Sequence, residues 1–284
     1  MKILQINNLY KKFGGAESVF FNTIELLTKK NHEVIPFSLS DENNEVSKYL
    51  SYFVNKESKL HNKLYSVAAK NQIENLVRNE KPDIAHIHNI IGGLTFSILP
   101  ILRKYNVPII ATLHDFRLFC PVYVFLDSKN NVCEKCKNGN YLNCLINNCS
   151  SQGYVKSFFL SSESYFRDIF IPYSKFIDSF IAVSNFVKTK ISEAHPELEK
   201  KTTTIYNFSR TFSQHNHMGN YFLYFGRLSR EKGLPNLLKA FKKLEGLQLK
   251  IVGDGELKKE IEEEKSVNVD LVGYKSGIEL EKII

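Results

Sequence analysis

Short apolar runs alternate with amphipathic stretches along almost the whole chain, the pattern of a parallel sheet wrapped by helices. Residues 2–6 predict a first strand, and 16–30 a helix with Val19, Phe20, Thr23, Ile24, Leu26 and Leu27 on its apolar face; Asn31 and His32 end it. A strand at 34–39, a long amphipathic helix over 60–79, a buried strand at 83–88, a helix at 94–105 and a strand at 107–113 continue the βαβ repetition. After an irregular stretch the pattern resumes with an aromatic-rich helical segment at 154–176, a strand at 179–183, a helix opening at Ser184 and a strand at 203–206. A polar, aperiodic stretch, 209–220, reads as a linker. A second series follows, with strands at 221–225, 249–252 and 267–272, helices at 234–244 and 256–265, and another helix opening at Gly277. The fold class predicted is α/β, with two doubly wound, Rossmann-like domains: 1–208, carrying an insertion at 115–153, and 221–284, a unit too small to be a complete sheet of this kind.

Composition narrows the class. At 43% hydrophobic and 24% charged residues the chain is an ordinary globular protein; it contains no apolar run long enough to span a bilayer, and residues 1–8 turn polar too early to read as a secretory h-region, so no secretory leader is expected. The reading is cytoplasmic. Thirty-eight Lys and Arg against thirty Asp and Glu give a net charge of +8, which favours an anionic partner. The basic residues are scattered and match no nucleic-acid motif, so nucleic acid is not expected.

Candidate chemistry sits just after the strands, where open α/β sheets bind ligands. Gly14 and Gly15 precede the first helix and would let its backbone amides approach an anion, or simply form a tight turn. No Gly-x-Gly-x-x-Gly dinucleotide fingerprint is present. His86, His88 and Asn89 leave one strand and His114 and Asp115 leave another, which predicts a shared polar site at His88, Asn89, His114 and Asp115. In the second domain, Gly226-Arg227-Leu228-Ser229-Arg230-Glu231-Lys232-Gly233 precedes a helix and offers a guanidinium fork, a point charge and backbone amides to a diphosphate. Gly253-Asp254-Gly255 forms a second close-approach turn. Two nucleotide-binding-type sheets facing one another across a cleft are expected.

These segments, taken in order, resemble a known family. Phe13-Gly14-Gly15-Ala16-Glu17, Asp83-Ile84-Ala85-His86-Ile87-His88-Asn89, Thr112-Leu113-His114-Asp115, Ala182-Val183-Ser184-Asn185-Phe186, Phe225-Gly226-Arg227-Leu228 through Glu231-Lys232-Gly233, and Ile251-Val252-Gly253-Asp254-Gly255 look like the group-1 (family 4) retaining glycosyltransferases of the GT-B fold. The resemblance implies a nucleoside diphosphate sugar as donor and a polysaccharide or lipid-linked acceptor, with peripheral contact at the inner membrane face. It implies that Arg227 and Lys232 hold the diphosphate without a metal or other catalytic cofactor, that Gly14 and Gly15 close on it, and that His114 and Asp115 lie beside the transferred sugar. Gly253, Gly255 and Gly273 would line the base and ribose end, with His88 and Asn89 on the acceptor side. No carboxylate stands out as a covalent nucleophile, so attack from the leaving group's own face is expected.

Two features fall outside the pattern. The family's Glu-x7-Glu donor-sugar segment has no convincing counterpart; Glu256 and Glu264 stand at that spacing, but in a helix upstream of it. The chain therefore reads as C-terminally truncated, either a fragment of an enzyme or a non-catalytic remnant or binding protein. The insertion carries all five cysteines. Cys133, Cys136, Cys144 and Cys149 read either as ligands of a structural zinc or as free buried thiols. The aromatic stretch Phe158, Phe159, Tyr165, Phe166, Phe170, Ile171, Tyr173 and Phe176 reads as core rather than as a membrane-binding face.

Overall fold

The computed structural model describes residues 1–12, 14–56, 59–208 and 219–284. Phe13 and residues 209–218 of the expected linker lie outside the described residues. The chain divides into Met1–Ser209 and Arg210–Ile284.

In the first unit, β1 (Lys2–Ile6), α1 (Gly15–Lys29) and β2 (Glu33–Phe37) are followed by two short paired strands, β3 (Leu39–Ser40) and β4 (Val54–Asn55). Then come α2 (Val67–Glu80), β5 (Ile84–Ile87), α3 (Leu99–Lys104) and β6 (Ile109–Leu113). The rest of the unit is α4 (Leu142–Ile146), α5 (Tyr154–Phe170), α6 (Tyr173–Phe176), β7 (Ser179–Ala182), α7 (Asn185–Ala194) and β8 (Thr202–Thr204). The six long strands form one sheet in the order β2-β1-β5-β6-β7-β8, with every neighbouring pair parallel. Leu4, Ile6, Ile35, Phe37, Ala85, Ile109 and Phe180 are buried to 2% exposure or less between the helical layers. Each such large side chain contributes roughly 1.5–3 kcal/mol by leaving water. Strand order reverses between β1 and β5, and that switch point opens a crevice at their carboxyl ends.

Three expected helices are shorter than the periodicity predicts. The segment 60–79 splits into a 3-10 turn at Leu60–Lys63 and α2, because the Ser66 side chain accepts from Ala69 N at 3.0 Å and caps the later start. The segment 94–105 opens with a 3-10 turn at Phe96–Ile98, capped by Thr95 in a left-handed conformation. The aromatic helix breaks between Phe170 and Tyr173 at Pro172, which has no N–H to continue the ladder. Phe159, Ile171 and Tyr173 are core, as read from the sequence, but Phe158 and Phe170 stand exposed.

The second unit runs β9 (Tyr221–Phe225), α8 (Leu234–Phe241), β10 (Gln248–Val252), α9 (Lys258–Glu264), β11 (Val269–Gly273) and α10 (Gly277–Glu281). Its three strands are parallel in the order β11-β10-β9, and Leu228, Leu234, Phe241, Leu249, Ile251, Leu257, Ile261 and Val269 pack into its core.

Candidate functional site

The switch-point crevice is built by two asparagines that follow β1. Asn7 Oδ1 accepts from Asn89 N at 3.0 Å, and Asn8 N donates to the Asn89 carbonyl at 2.7 Å, so the exits of β1 and β5 are stitched together. Asn8 Oδ1 also accepts from Leu94 N, and its Nδ2 donates to the Ile91 carbonyl. A Cβ on Gly93 would stand 2.4 Å from Asn8 Oδ1, which is why glycine is needed there.

Beside that stitch lies a chain of three histidines. His86 and His88 point to one face of β5, their ring centroids 4.4 Å apart, and the rings of His88 and His114 lie nearly parallel with centroids 5.0 Å apart. His88 Nδ1 and His114 Nε2 are 2.8 Å apart, His86 Nε2 and Thr112 Oγ1 2.7 Å. Buried Gln5 reaches both of the β5 rings, with 3.1 Å from its Nε2 to His86 Nδ1 and 3.1 Å from its Oε1 to His88 Nε2. Burial pushes His114 down to about 4, and burial together with the His114 charge pushes His86 to about 4; burial, then the charges of His86 and His114, hold His88 well below its ordinary value. At neutral pH the three rings are uncharged. A pocket of about 40 Å³, lined by His88, His114, Asp115, Phe96, Ile177 and Phe180 among others, lies against them.

Asp115 accepts from Arg117 N at 2.9 Å and faces Arg117 Nε at 3.6 Å. Burial raises its carboxyl and the Arg117 charge opposes that rise. The loop from Asp115 to Leu118 is tied to α5 by Arg167, whose side chain is 1% exposed. Its Nη1 donates to the Arg117 carbonyl at 3.1 Å and its Nη2 to the Leu118 carbonyl at 2.7 Å. Its Nε pairs with Asp168 at 2.8 Å, and Tyr141 Oη donates to the same carboxylate. Thus His88, Asn89, His114 and Asp115 lie along one sheet edge.

In the second unit the loops after the three strands interlock. Gly226 N donates to Val252 O, Leu228 N to Asp254 O and Gly253 N to Gly273 O. A Cβ on Gly253 would lie 1.9 Å from the Gly226 carbonyl oxygen, and one on Gly255 2.4 Å from that of Leu228, so close backbone packing alone accounts for both glycines. Gly273 has open space at its Cβ but a φ of +84°, which favours glycine there. Buried Leu228 anchors the loop that presents Arg227, Arg230 and Lys232. Arg230 is engaged by Glu260 at 2.7 Å. Arg227 and Lys232 are exposed and pair with no carboxylate among the described residues, which leaves them the available cations of the loop.

All five cysteines are free thiols. Cys136 and Cys144 pack with Tyr141, and Cys144 shares a thiol hydrogen bond with Cys149. Among the described residues no three His, Cys, Asp or Glu side chains are arranged to hold a metal ion.

Residues 13–210 match Glycosyltransferase Family 4 and residues 206–283 match Glycosyl transferases group 1. The chain belongs to Glycosyltransferase Family 4. A protein described as an uncharacterized 42.6 kDa protein in cps region of Klebsiella pneumoniae is 27% identical over 96% of this chain and 74% of its own length. Among solved structures, sucrose-phosphate synthase of Thermosynechococcus elongatus superposes with a TM-score of 0.62 at 14% identity, covering 97% of this chain and 71% of its own. Anabaena Alr3699/HepE in complex with UDP and glucose does so at 0.56 and 15%, covering 97% and 70%. The likeness gives the GT-B fold. The family resemblance read from the motifs and the two-sheet α/β class are both met, and this glycosyltransferase has no helix, among its described residues, long and apolar enough to cross a membrane.

Several site residues of this glycosyltransferase escaped the sequence reading: Gln5, Asn7, Asn8, Thr112 and Arg167. A polar residue in a strand otherwise built of Ile and Leu, as Gln5 is, was the available signal; the partner of Arg167 across 49 residues was not.

Proposed function

We propose that this glycosyltransferase moves a sugar, with retention at the anomeric carbon, from a nucleoside diphosphate sugar to a glycan or lipid-linked acceptor in cell-surface polysaccharide synthesis, working on the cytoplasmic side. The observation that carries the donor half is the pair of unengaged cations, Arg227 and Lys232, on a loop whose third cation is neutralised by Glu260. As the C1–oxygen bond to the diphosphate breaks, negative charge gathers on the leaving phosphate, and the two cations stabilise it. The acceptor oxygen bonds to C1 from the same face and its proton passes to the departing phosphate oxygen. A sugar nucleotide is also what Anabaena Alr3699/HepE holds, in its complex with UDP-glucose. Gly14 and Gly15 offer backbone amides at the start of α1 to an anion.

His114 contacts the transferred sugar as a neutral hydrogen-bonding ring, with Asp115 beside it and His88 and Asn89 toward the acceptor. Burial, and then the neighbouring charges of Lys63 and Arg117, push the Lys156 amine below its ordinary range. The relative in cps region fits polysaccharide synthesis.

The test is donor turnover. With a panel of nucleoside diphosphate sugars and a lipid-linked acceptor, wild-type protein should release nucleoside diphosphate, and the Arg227→Ala, Lys232→Ala double variant should lose kcat by orders of magnitude at unchanged thermal stability. Unchanged turnover at saturating donor removes the pair from the mechanism.

A further inference from the structure

Gln5 bonds to two histidines through opposite ends of one amide, and that asymmetry fixes where the protons sit. The amide nitrogen can only donate, so His86 Nδ1, 3.1 Å away, is the bare nitrogen of its ring. The single proton of that neutral ring is then on Nε2, which donates to Thr112 Oγ1 at 2.7 Å. The amide oxygen can only accept, so His88 carries its proton on Nε2, 3.1 Å from Gln5 Oε1. His88 Nδ1 is consequently bare and receives a hydrogen bond across 2.8 Å, which places the proton of His114 on Nε2 as well. His114 Nδ1 is left as a lone pair, bonded by no group among the described residues.

We propose that Gln5 and His88 are positioning residues that hold His114 as the neutral Nε2–H tautomer, so that its Nδ1 serves as a hydrogen-bond acceptor for a hydroxyl of the bound sugar. The use of that acceptor rests on the role given to His114 above; the tautomer does not. Gln5 is fully buried on β1, between β2 and β5, so its amide exchanges with no solvent partner. His88 is also held by packing, edge-on to Phe20 with centroids 5.2 Å apart. Neither residue needs to touch substrate. Their effect is to give His114 one hydrogen-bonding character instead of two, which makes the site select for a donor hydroxyl and against a group that can only accept.

The direct readout is long-range ¹H–¹⁵N correlation of the full chain labelled at histidine, near neutral pH. All three rings should show protonated Nε2 and bare Nδ1. Protonated Nδ1 on His88 and His114 is the pattern of the opposite amide orientation and would overturn the proposal, whatever the enzyme's activity. Gln5→Glu separates the two halves of the relay. A carboxylate accepts on both oxygens, so His86 should move its proton to Nδ1 while His88 and His114 keep theirs on Nε2. A shift of all three rings together would refute the relay. Gln5→Leu should let His114 populate both tautomers and lower kcat by about tenfold with a smaller change in donor KM. If the wild-type tautomers are as stated but His114→Ala transfers sugar at the wild-type rate, the relay stands and the role of His114 at the sugar falls.

Discussion

Arg167 donates a 2.7 Å hydrogen bond to the carbonyl of Leu118, joining the last turn of α5 to the loop that follows His114 and Asp115. The guanidinium is also packed within 6 Å of the ring centres of Phe96, Tyr141 and Tyr173. Burial works against its charge, and Glu163 and Asp168 more than offset that, so it remains a cation. Replacing it with methionine strips two carbonyls of their donor and leaves two carboxylates uncompensated. Arg167→Met should therefore destabilise the first unit by about 3–5 kcal/mol, the scale of breaking a buried ion pair from one side. Urea denaturation followed by tyrosine fluorescence checks this, and a loss below about 1 kcal/mol would show the network to be replaceable by apolar packing.

Glycine substitutions separate packing from ligand approach. Gly253→Ala drives a Cβ to 1.9 Å from the Gly226 carbonyl oxygen, a backbone atom of a residue whose own N–H is bonded to Val252, so the second unit should lose its cooperative melting transition. A Cβ on Gly15 meets nothing within 4 Å, and the residue lies at the helical start of α1. Gly15→Ala should leave stability unchanged or raise it by up to about 1 kcal/mol. Any rise in donor KM in that variant, measured beside its unchanged melting temperature, then reports a ligand that needs the missing methyl's space.

Much of this was legible in the sequence, and what was not has a physical pattern. The period of apolar positions located every long strand of both sheets, because parallel strands buried on both faces read as continuous apolar runs. Helix lengths were overestimated where a single residue resets the backbone: Ser66 by capping, Pro172 by lacking a donor. His88 and His114 could be paired from strand alternation, since both leave their strands at the same sheet edge. Gln5 could not, because its role depends on β1 lying next to β5, a neighbourhood that only the sheet order supplies. Gly253 and Gly255 look in the sequence like close-approach turns for a ligand, and the sheet order shows that the backbone of the neighbouring loop after β9 also approaches them closely.

Acid should weaken the fold through the histidine chain. His86 and His114 have native values of about 4 against an ordinary 6.5, so between those limits the unfolded chain binds protons that the native state refuses. Stability from these groups is complete above about pH 6.5 and is lost as pH falls toward about 4. The loss between pH 7 and 5 is roughly 2 kcal/mol for each of the two rings. Asp115 and Glu163, raised by burial, run the other way and return part of it, since their native carboxyls hold protons that the unfolded chain has released. Urea midpoints should therefore fall between pH 7 and pH 5, with a shallower fall in His86→Gln, which removes one of the refusing rings. A midpoint that stays flat or rises over that interval would mean that the rings protonate in the native state.

The cysteine loop offers a choice between two chemistries that a metal analysis decides. Burial pushes the Cys136 thiol up to about 12 and raises Cys120, whereas the hydrogen bond from Cys149 lowers Cys144. Cys149 is raised in turn by giving that bond. Cys136, Cys144 and Cys149 share an apolar cluster with Tyr141, while a zinc knot needs four ligands converging on one point, an arrangement absent among the described residues. Protein purified without chelator under reducing conditions should therefore carry far less than stoichiometric zinc, and all five thiols should react with a disulfide reagent once unfolded. Cys133→Ser with Cys136→Ser should then leave proteolytic resistance of the loop intact, because packing around Tyr141 and its bond to Asp168 would hold it. Stoichiometric zinc, lost in that double variant together with the loop's protection, would show instead that Cys133, Cys136, Cys144 and Cys149 gather around a metal in solution.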